Sequence, residues 1–213
     1  MTRSPQDKFS LLFETARRSL LASDLILSRL TNELLTLEPD IQSGLDIQGK
    51  SASPLLAAVA LIDFSHRFGS VVDALPLINK KTVELRLLRE ALESVEIARN
   101  HLQHMRGGLS ASSVVDYPLL GAISWANGNS SYTICMSQPQ TTDIVSLAYD
   151  THNMCWATSL QYTVKHTAID IPRVIAAMNR AYQSIASSVD FLDPSQSSLA
   201  WGSTLSFRFH VQL

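Results

Sequence analysis

Arg99, Asn100 and His104 form the one compact group in this sequence whose residue types can do chemistry together. A guanidinium stays charged at working pH and offers a planar fork of donors that matches phosphate oxygens. An imidazole titrates near neutrality, so it can accept a proton and later return it. An amide can hold that imidazole or donate to the phosphate. Such a set suits proton transfer at a phosphate and requires no metal or cofactor. The same residues also have an ordinary explanation. Cationic side chains near a helix C-terminus gain ~0.3–1 kcal/mol from the helix dipole, and this alone would account for Arg99, His101, His104 and Arg106.

The element that must position them runs from Lys80 to Gly108 and reads as one helix. Asn79 is a plausible N-cap. Glu, Leu, Arg and Ala then dominate, all good helix formers. Gly107-Gly108 provides a C-terminal stop. Leu88, Leu92, Val95 and Leu102 fall on one row at helical spacing, which predicts a core-facing stripe. Arg99 lies on that row, so it must snorkel, find an anion or line a cleft. Asn100 and His104 are four apart and share a surface. Arg99 and His104 are five apart, roughly 140° around the axis. One helix does not easily aim both at the same atom, so a second copy could complete the site.

The run Arg99-Asn100-His101-Leu102-Gln103-His104 resembles the R-x(4–6)-H motif of HEPN domains, in which a polar residue often follows the arginine. The stretch Leu61 to Arg67, leading to Pro76, is similar to the helix before the motif in bacterial HEPN-like proteins. The resemblance covers about the first half of the chain. It implies an all-helical bundle and a metal-independent endoribonuclease of toxin–antitoxin or other defence systems. Arg99, Asn100 and His104 would then be catalytic, meeting their copies across a homodimer, with RNA as substrate and a cognate antitoxin or regulatory protein as partner. RNA supplies its own nucleophile, the 2′-OH beside each phosphate. Cleavage needs a base for that hydroxyl, an acid for the 5′-oxygen and positive charge on the phosphate. The alternative is a HEPN fold used only to bind a nucleotide or a protein.

The preceding helix contributes Asp63, His66 and Arg67. Asp63 and Arg67 are an i,i+4 pair, for which a surface ion pair is the ordinary account. The sharper expectation places His66 or Arg67 beside Arg99 and His104 of the neighbouring helix, as binding residues together with His101. His101-x-x-His104 could share a metal, but no acidic or cysteine ligand stands nearby, so no metal is expected. No G-x-S-x-G elbow is present.

With 213 residues, 46% hydrophobic and 17% charged, the chain has ample material for a core and is not of disordered composition. The formal net charge of −2 and the lack of a basic tail argue against strong nonspecific nucleic-acid binding. A local basic cleft remains compatible with that balance. Cys135 and Cys155 make no disulfide framework and read as buried thiols. The opening Met1 to Lys8 is too polar for a signal peptide. The apolar run Pro54 to Ile62 is short of a membrane span. A cytoplasmic protein without membrane association is expected.

The fold class expected is α+β: a HEPN-like antiparallel helical bundle over 1–108, then an antiparallel sheet with one packed helix over 109–213. The two parts could pack as one domain. A first helix is predicted over Pro5 to Leu37, stopped at Glu38-Pro39-Asp40. Asp40 to Ser51 reads as a loop, and Ser53-Pro54 opens a second helix to Ala74. A serine-rich linker from Leu109 to Pro118 precedes a change to period two. Strands are predicted over Gly121–Trp125 and Tyr132–Met136, around a slightly long loop at Asn127-Gly128. Further strands fall over Ile144–Tyr149, Met154–His166 and Ser203–Leu213, with a helix over Ile171–Ser188 capped by Asp170.

Overall fold

Three long helices come first, and each ends where its neighbours require. The computed structural model describes residues 5–104, 118, 120–135 and 147–189. Helix α1 spans Pro5–Gln42, α2 spans Gln48–Ala74 and α3 spans Val83–Gln103. The strands are β1 (Ala122–Asn127), β2 (Ser130–Cys135), β3 (Tyr149–Asp150), β4 (Cys155–Trp156), β5 (Leu160–Val164) and β6 (Thr167–Asp170). Helix α4, Ile171–Val189, follows directly. The class is α+β, with helices first, then a small antiparallel sheet, then a helix.

Helix α1 does not stop at Pro39, as its sequence suggests, but carries the proline inside and ends at Gln42. The buried carboxylate of Glu38 accepts from Trp125 Nε1 at 2.8 Å and from Asn127 Nδ2 at 2.7 Å, which ties the last turns of α1 to β1. The chain then turns at Gly44, whose φ of +68° is the left-handed conformation glycine adopts cheaply. Helix α2 begins at Gln48 rather than Ser53, so the loop is short and Pro54 sits inside the helix. The Asp46 side chain accepts from Gln48 N at 2.8 Å at this start. Its end at Ala74 is as predicted. Leu75 is extended (ψ 124°), as a residue before proline must be.

Helix α3 is capped by Thr82, not Asn79. Thr82 is extended, and its hydroxyl accepts from Leu85 N. Asn79 instead closes a local turn by accepting from Lys81 N. The helix ends at Gln103 with His104 as its C-cap, so the expected run to Gly108 is cut back. Gly107 and Gly108 lie outside the described residues.

Helices α1 and α2 run antiparallel, as the Asp40–Lys50 and Arg29–Ser53 contacts require. Helices α2 and α3 are also antiparallel: Arg89 meets Asp73 near one end and Arg99 meets Asp63 near the other. Between these contacts Gly69 lets α3 approach closely. A Cβ there would stand 2.4 Å from Leu92 Cδ1. Leu30, Leu34, Leu55, Leu61, Phe68, Leu88 and Val95 fill the space between the three helices. Helix α2 has the length and apolarity of a membrane span. A core helix meets the same criteria, and its Leu55, Leu61, Ile62, Phe68 and Val72 are packed inside the protein.

The main sheet is wholly antiparallel in the order β2-β1-β5-β6. Ile123 pairs with Ile134 on one side and Tyr162 on the other. Ile123, Trp125, Ile134, Leu160, Tyr162, Val164 and Ile169 join the same core cluster as the helices. The parts before and after the linker therefore share one core. Helix α4 buries Val174, Ala177, Met178, Ala181 and Ile185, as its period predicts, and Tyr182 stacks on Phe13 of α1 at 5.0 Å. Asp170 caps it by accepting from Arg173 N at 2.9 Å.

Three strand expectations change. The β1–β2 loop is only Gly128-Asn129, since Asn127 and Ser130 pair directly, and Gly128 takes the positive φ of +56°. Gly121 is a turn residue (φ +77°) rather than part of β1. The expected strand Met154–His166 is two strands, β4 and β5. Met154 and Lys165 both adopt positive φ, which the extended ladder cannot accommodate. Tyr149 forms β3, opposite Trp156. Of the two cysteines expected to be buried, Cys135 is half-buried and Cys155 is exposed, because Trp156 makes the packing contact of that short ribbon. The linker up to Tyr117, Ile144, and the segment Ser203–Leu213 lie outside the described residues.

Candidate functional site

A cleft of about 440 Å³ opens where the three long helices meet. Its walls are Thr15, Arg18 and Ser19 from α1, Phe64, His66, Arg67, Ser70 and Val71 from α2, and Arg99 from α3. The sequence placed Arg99 on the buried row of α3, where a charged residue must line a cleft or find an anion. It does both. The inner row, Leu85, Leu88, Val95 and Ala98, fixes the rotation of α3. That rotation turns Arg99 toward α2, and its Nε lies 3.5 Å from Asp63 Oδ1. Its side chain is about one quarter exposed (25%), so the guanidinium is neither sealed nor free in solvent.

Arg67 reaches the same carboxylate from its own helix. Its Nε and Nη2 lie 2.8 and 2.7 Å from Asp63 Oδ2, while its guanidinium carbon stands 5.8 Å from the Phe64 ring centroid. Asp63 is thus the common acceptor for one cation of α2 and one of α3. Arg18 enters from α1, paired with Glu14 at 2.7 Å. Arg17 binds both oxygens of Glu14, and this pair of arginines, Arg17 foremost, holds the pKa of the Glu14 carboxyl at about 2. His66 is half-buried. Burial first, then the neighbouring Arg99 cation, pulls its pKa below the usual histidine range, so the imidazole is neutral at neutral pH.

The structure therefore brings Arg99, His66 and Arg67 together. It does not bring Asn100, His101 or His104 into the same cleft. Asn100 is exposed, and its carbonyl accepts the His104 N–H at 3.0 Å. His104 is exposed at the C-cap, with φ −102° and ψ 15°. His101 faces the sheet: burial and the Lys165 cation in the β5–β6 turn lower its pKa. The separation of Arg99 and His104 follows from helix geometry, since five residues do not share a face.

Sequence reasoning missed Arg18 and the hydroxyls of Thr15, Ser19 and Ser70. These lie far from the motif in sequence, and only the crossing of α1 with α2 assembles them. The one available signal was the Glu14-x-x-Arg17-Arg18 spacing, which reads as a surface ion-pair cluster.

A second cavity of about 320 Å³ lies between α3 and the start of α4, walled by Glu90, Glu93, Asp170 and Arg173 around Ile97. Its charge is mainly acidic, opposite to the first cleft. Among the described residues, no three of the types His, Cys, Asp and Glu are grouped as a metal ion would need. Trp125 is a core residue, His152 and His166 are exposed, and Trp156 packs edge-on against Tyr149, while His210 and Trp201 lie outside the described residues.

The arrangement can grip an anion. Three guanidinium groups from three helices face one opening, with the Ser70 hydroxyl on its wall and a neutral imidazole at its edge, while the Thr15 and Ser19 hydroxyls donate to carbonyls of their own helix. No protein-family model, curated protein or solved structure matches this chain.

Proposed function

We propose that this protein is a HEPN-like, metal-independent endoribonuclease whose phosphate-gripping groups lie in the three-helix cleft. One observation carries the reading: Arg99 of α3 shares a cleft with Arg67 and His66 of α2. A phosphodiester would take the guanidinium forks of Arg99 and Arg67. His66, already neutral, would accept the proton of the adjacent 2′-OH. The 2′-oxygen would then attack phosphorus, and the bond from phosphorus to the 5′-oxygen would break. The products are a 2′,3′-cyclic phosphate and a 5′-hydroxyl. The leaving oxygen needs a proton, and the reading assigns this to His104 of a second copy, with Asn100 beside it. It therefore requires a homodimer. A toxin or defence role, with an antitoxin or regulatory protein as partner, goes with the family resemblance.

A second reading is favoured by a specific contact. Asp63 already engages both guanidinium groups, which suits a cleft that holds a nucleotide or protein ligand without chemistry.

The deciding experiment is cleavage of mixed RNAs in EDTA by the purified protein and by Arg99→Ala, His66→Ala and His104→Ala. Metal-independent cleavage that leaves cyclic phosphate ends and falls at least ~100-fold in all three variants is the expected result. Loss in the first two with His104→Ala unchanged removes the dimeric acid from the reading. Failure of folded wild type to cleave any RNA moves the function to the binding module.

A further inference from the structure

Just outside the walls of this cleft, Asp63 contacts two of the arginines that line it. Asp63 gives one oxygen to Arg67, at 2.7 and 2.8 Å, and the other to Arg99, at 3.5 Å. The two contacts differ in kind. The Arg67 contact is an i,i+4 pair that any helix with this spacing would form. The Arg99 contact joins residues 36 apart in sequence and exists only because α2 and α3 pack antiparallel. It is also the looser of the two, at the long limit of a hydrogen bond.

A carboxylate and a phosphate present oxygens to a guanidinium in the same forked geometry. Asp63 takes Nε and Nη2 of Arg67 on one oxygen and Nε of Arg99 on the other, and so engages donors that phosphate oxygens would otherwise take. Its side chain is 35% exposed and that of Arg99 is 25% exposed, so neither charge depends on the protein interior for its partner. A carboxylate so placed can swing toward water when a competitor arrives. The hydroxyl of Ser70 and the guanidinium of Arg18 line the same cavity and would add to the hold on that competitor.

We infer that Asp63 is a resident counter-ion that an RNA phosphate must displace to engage Arg67 and Arg99, so that these two arginines of the cleft rest in a self-paired state. This rests on the reading of the cleft as the phosphate-gripping site. It has a functional consequence. Single phosphate contacts are outcompeted by a tethered carboxylate, and only a ligand that engages several walls of the cleft at once opens it. That selects against casual anions.

The test uses the full chain and a fluorescein-labelled single-stranded oligoribonucleotide, 2′-O-methylated so that it cannot be cleaved. Binding is followed by fluorescence anisotropy at low salt. Asp63→Asn keeps the shape and removes the charge, and Asp63→Ser is a second variant in case the amide rebinds the arginines. Helical content is checked by circular dichroism. Glu93→Gln, on the acidic cavity, changes the net charge equally and serves as control. The expected result is at least ~tenfold tighter binding by the Asp63 variants, little change for Glu93→Gln, and loss of the gain in Asp63→Asn/Arg99→Ala. If Arg99→Ala weakens binding but neither Asp63 variant tightens it, the counter-ion inference falls and the cleft reading stands. If Glu93→Gln tightens binding as much as Asp63→Asn, net charge is the cause and the inference also falls. If wild type and Arg99→Ala bind alike, the cleft reading fails and the inference goes with it.

Discussion

Glu38 of α1 and Trp125 of β1 are joined by a buried hydrogen bond, from indole Nε1 to carboxylate Oε1 at 2.8 Å, across 87 residues of sequence. The second oxygen takes the Asn127 amide at 2.7 Å, and one turn on, Gln42 donates to the Tyr132 hydroxyl at 2.5 Å. Three polar bonds thus clamp the end of α1 to the β1–β2 hairpin. A buried carboxylate is costly unless its oxygens are satisfied, and here two side-chain donors do this. The Gln42–Tyr132 bond lies beyond Pro39, on the turn that the helix adds past its proline.

Removing Glu38 should therefore hurt more than its single residue suggests. Glu38→Ala leaves the buried Trp125 indole N–H without an acceptor, while the exposed Asn127 amide can turn to water, and is expected to cost about 1–3 kcal/mol. Glu38→Gln keeps one acceptor and should cost less. The midpoint of urea unfolding measures both. Equal midpoints for Glu38→Ala and wild type would show that the clamp contributes nothing.

Gly121 stands at a point where only glycine fits. A Cβ there would lie 2.6 Å from the Thr163 carbonyl and 2.9 Å from the Tyr162 ring, at a φ of +77°. Gly121→Ala should destabilise the protein by at least about 2 kcal/mol, through both strain and overlap. Gly44→Ala, with open space around it, carries the backbone strain alone and should cost about 1 kcal/mol. Thermal unfolding of the pair separates the two terms.

His66 offers a spectroscopic check on the cleft. Burial and Arg99 both lower its pKa, burial the more. The imidazole proton signals should titrate below the ordinary 6.5 in wild type and move upward in Arg99→Ala. A His66 midpoint unaffected by Arg99→Ala would separate the two residues. The sign carries into stability. Because the folded pKa is depressed, the unfolded chain binds the proton more readily, so this group's contribution is lost as pH falls below about 6.5.

Glu14 acts at more acid pH. Its folded pKa lies at about 2 against an ordinary 4.5. Its contribution is present above 4.5 and disappears as pH falls toward about 2. Glu14→Gln should lower stability at neutral pH and reduce the acid sensitivity of unfolding in that interval. Parallel pH–stability curves for the variant and wild type would contradict the pairing with Arg17 and Arg18.

The sequence by itself determined the helical rows. Val95 and Leu88 on α3 and Met178 and Ala181 on α4 are buried as their periods require. On β5 the period marked Leu160, Tyr162 and Val164 but not Gln161 and Thr163, which the structure buries as well, so the expected wetted face of that strand is covered. Apolar periodicity is a local signal, repeated many times, so it survives without knowledge of neighbours. It also marked Arg99 as a charge that needed a cleft or an anion, and raised Arg67 and His66 as its companions. The tertiary structure alone decided where the helices end, because Gln42, on the turn that α1 adds past its proline, bonds Tyr132 and Thr82 wins the cap from Asn79. It alone brought Arg18 to Arg99 and set Asp63 between two arginines. It also turned His101 and His104 away from that cleft. These are matters of helix crossing and rotation, which depend on how side chains such as Leu92 seat against Gly69. Such contacts link residues far apart in sequence and leave no period along the chain.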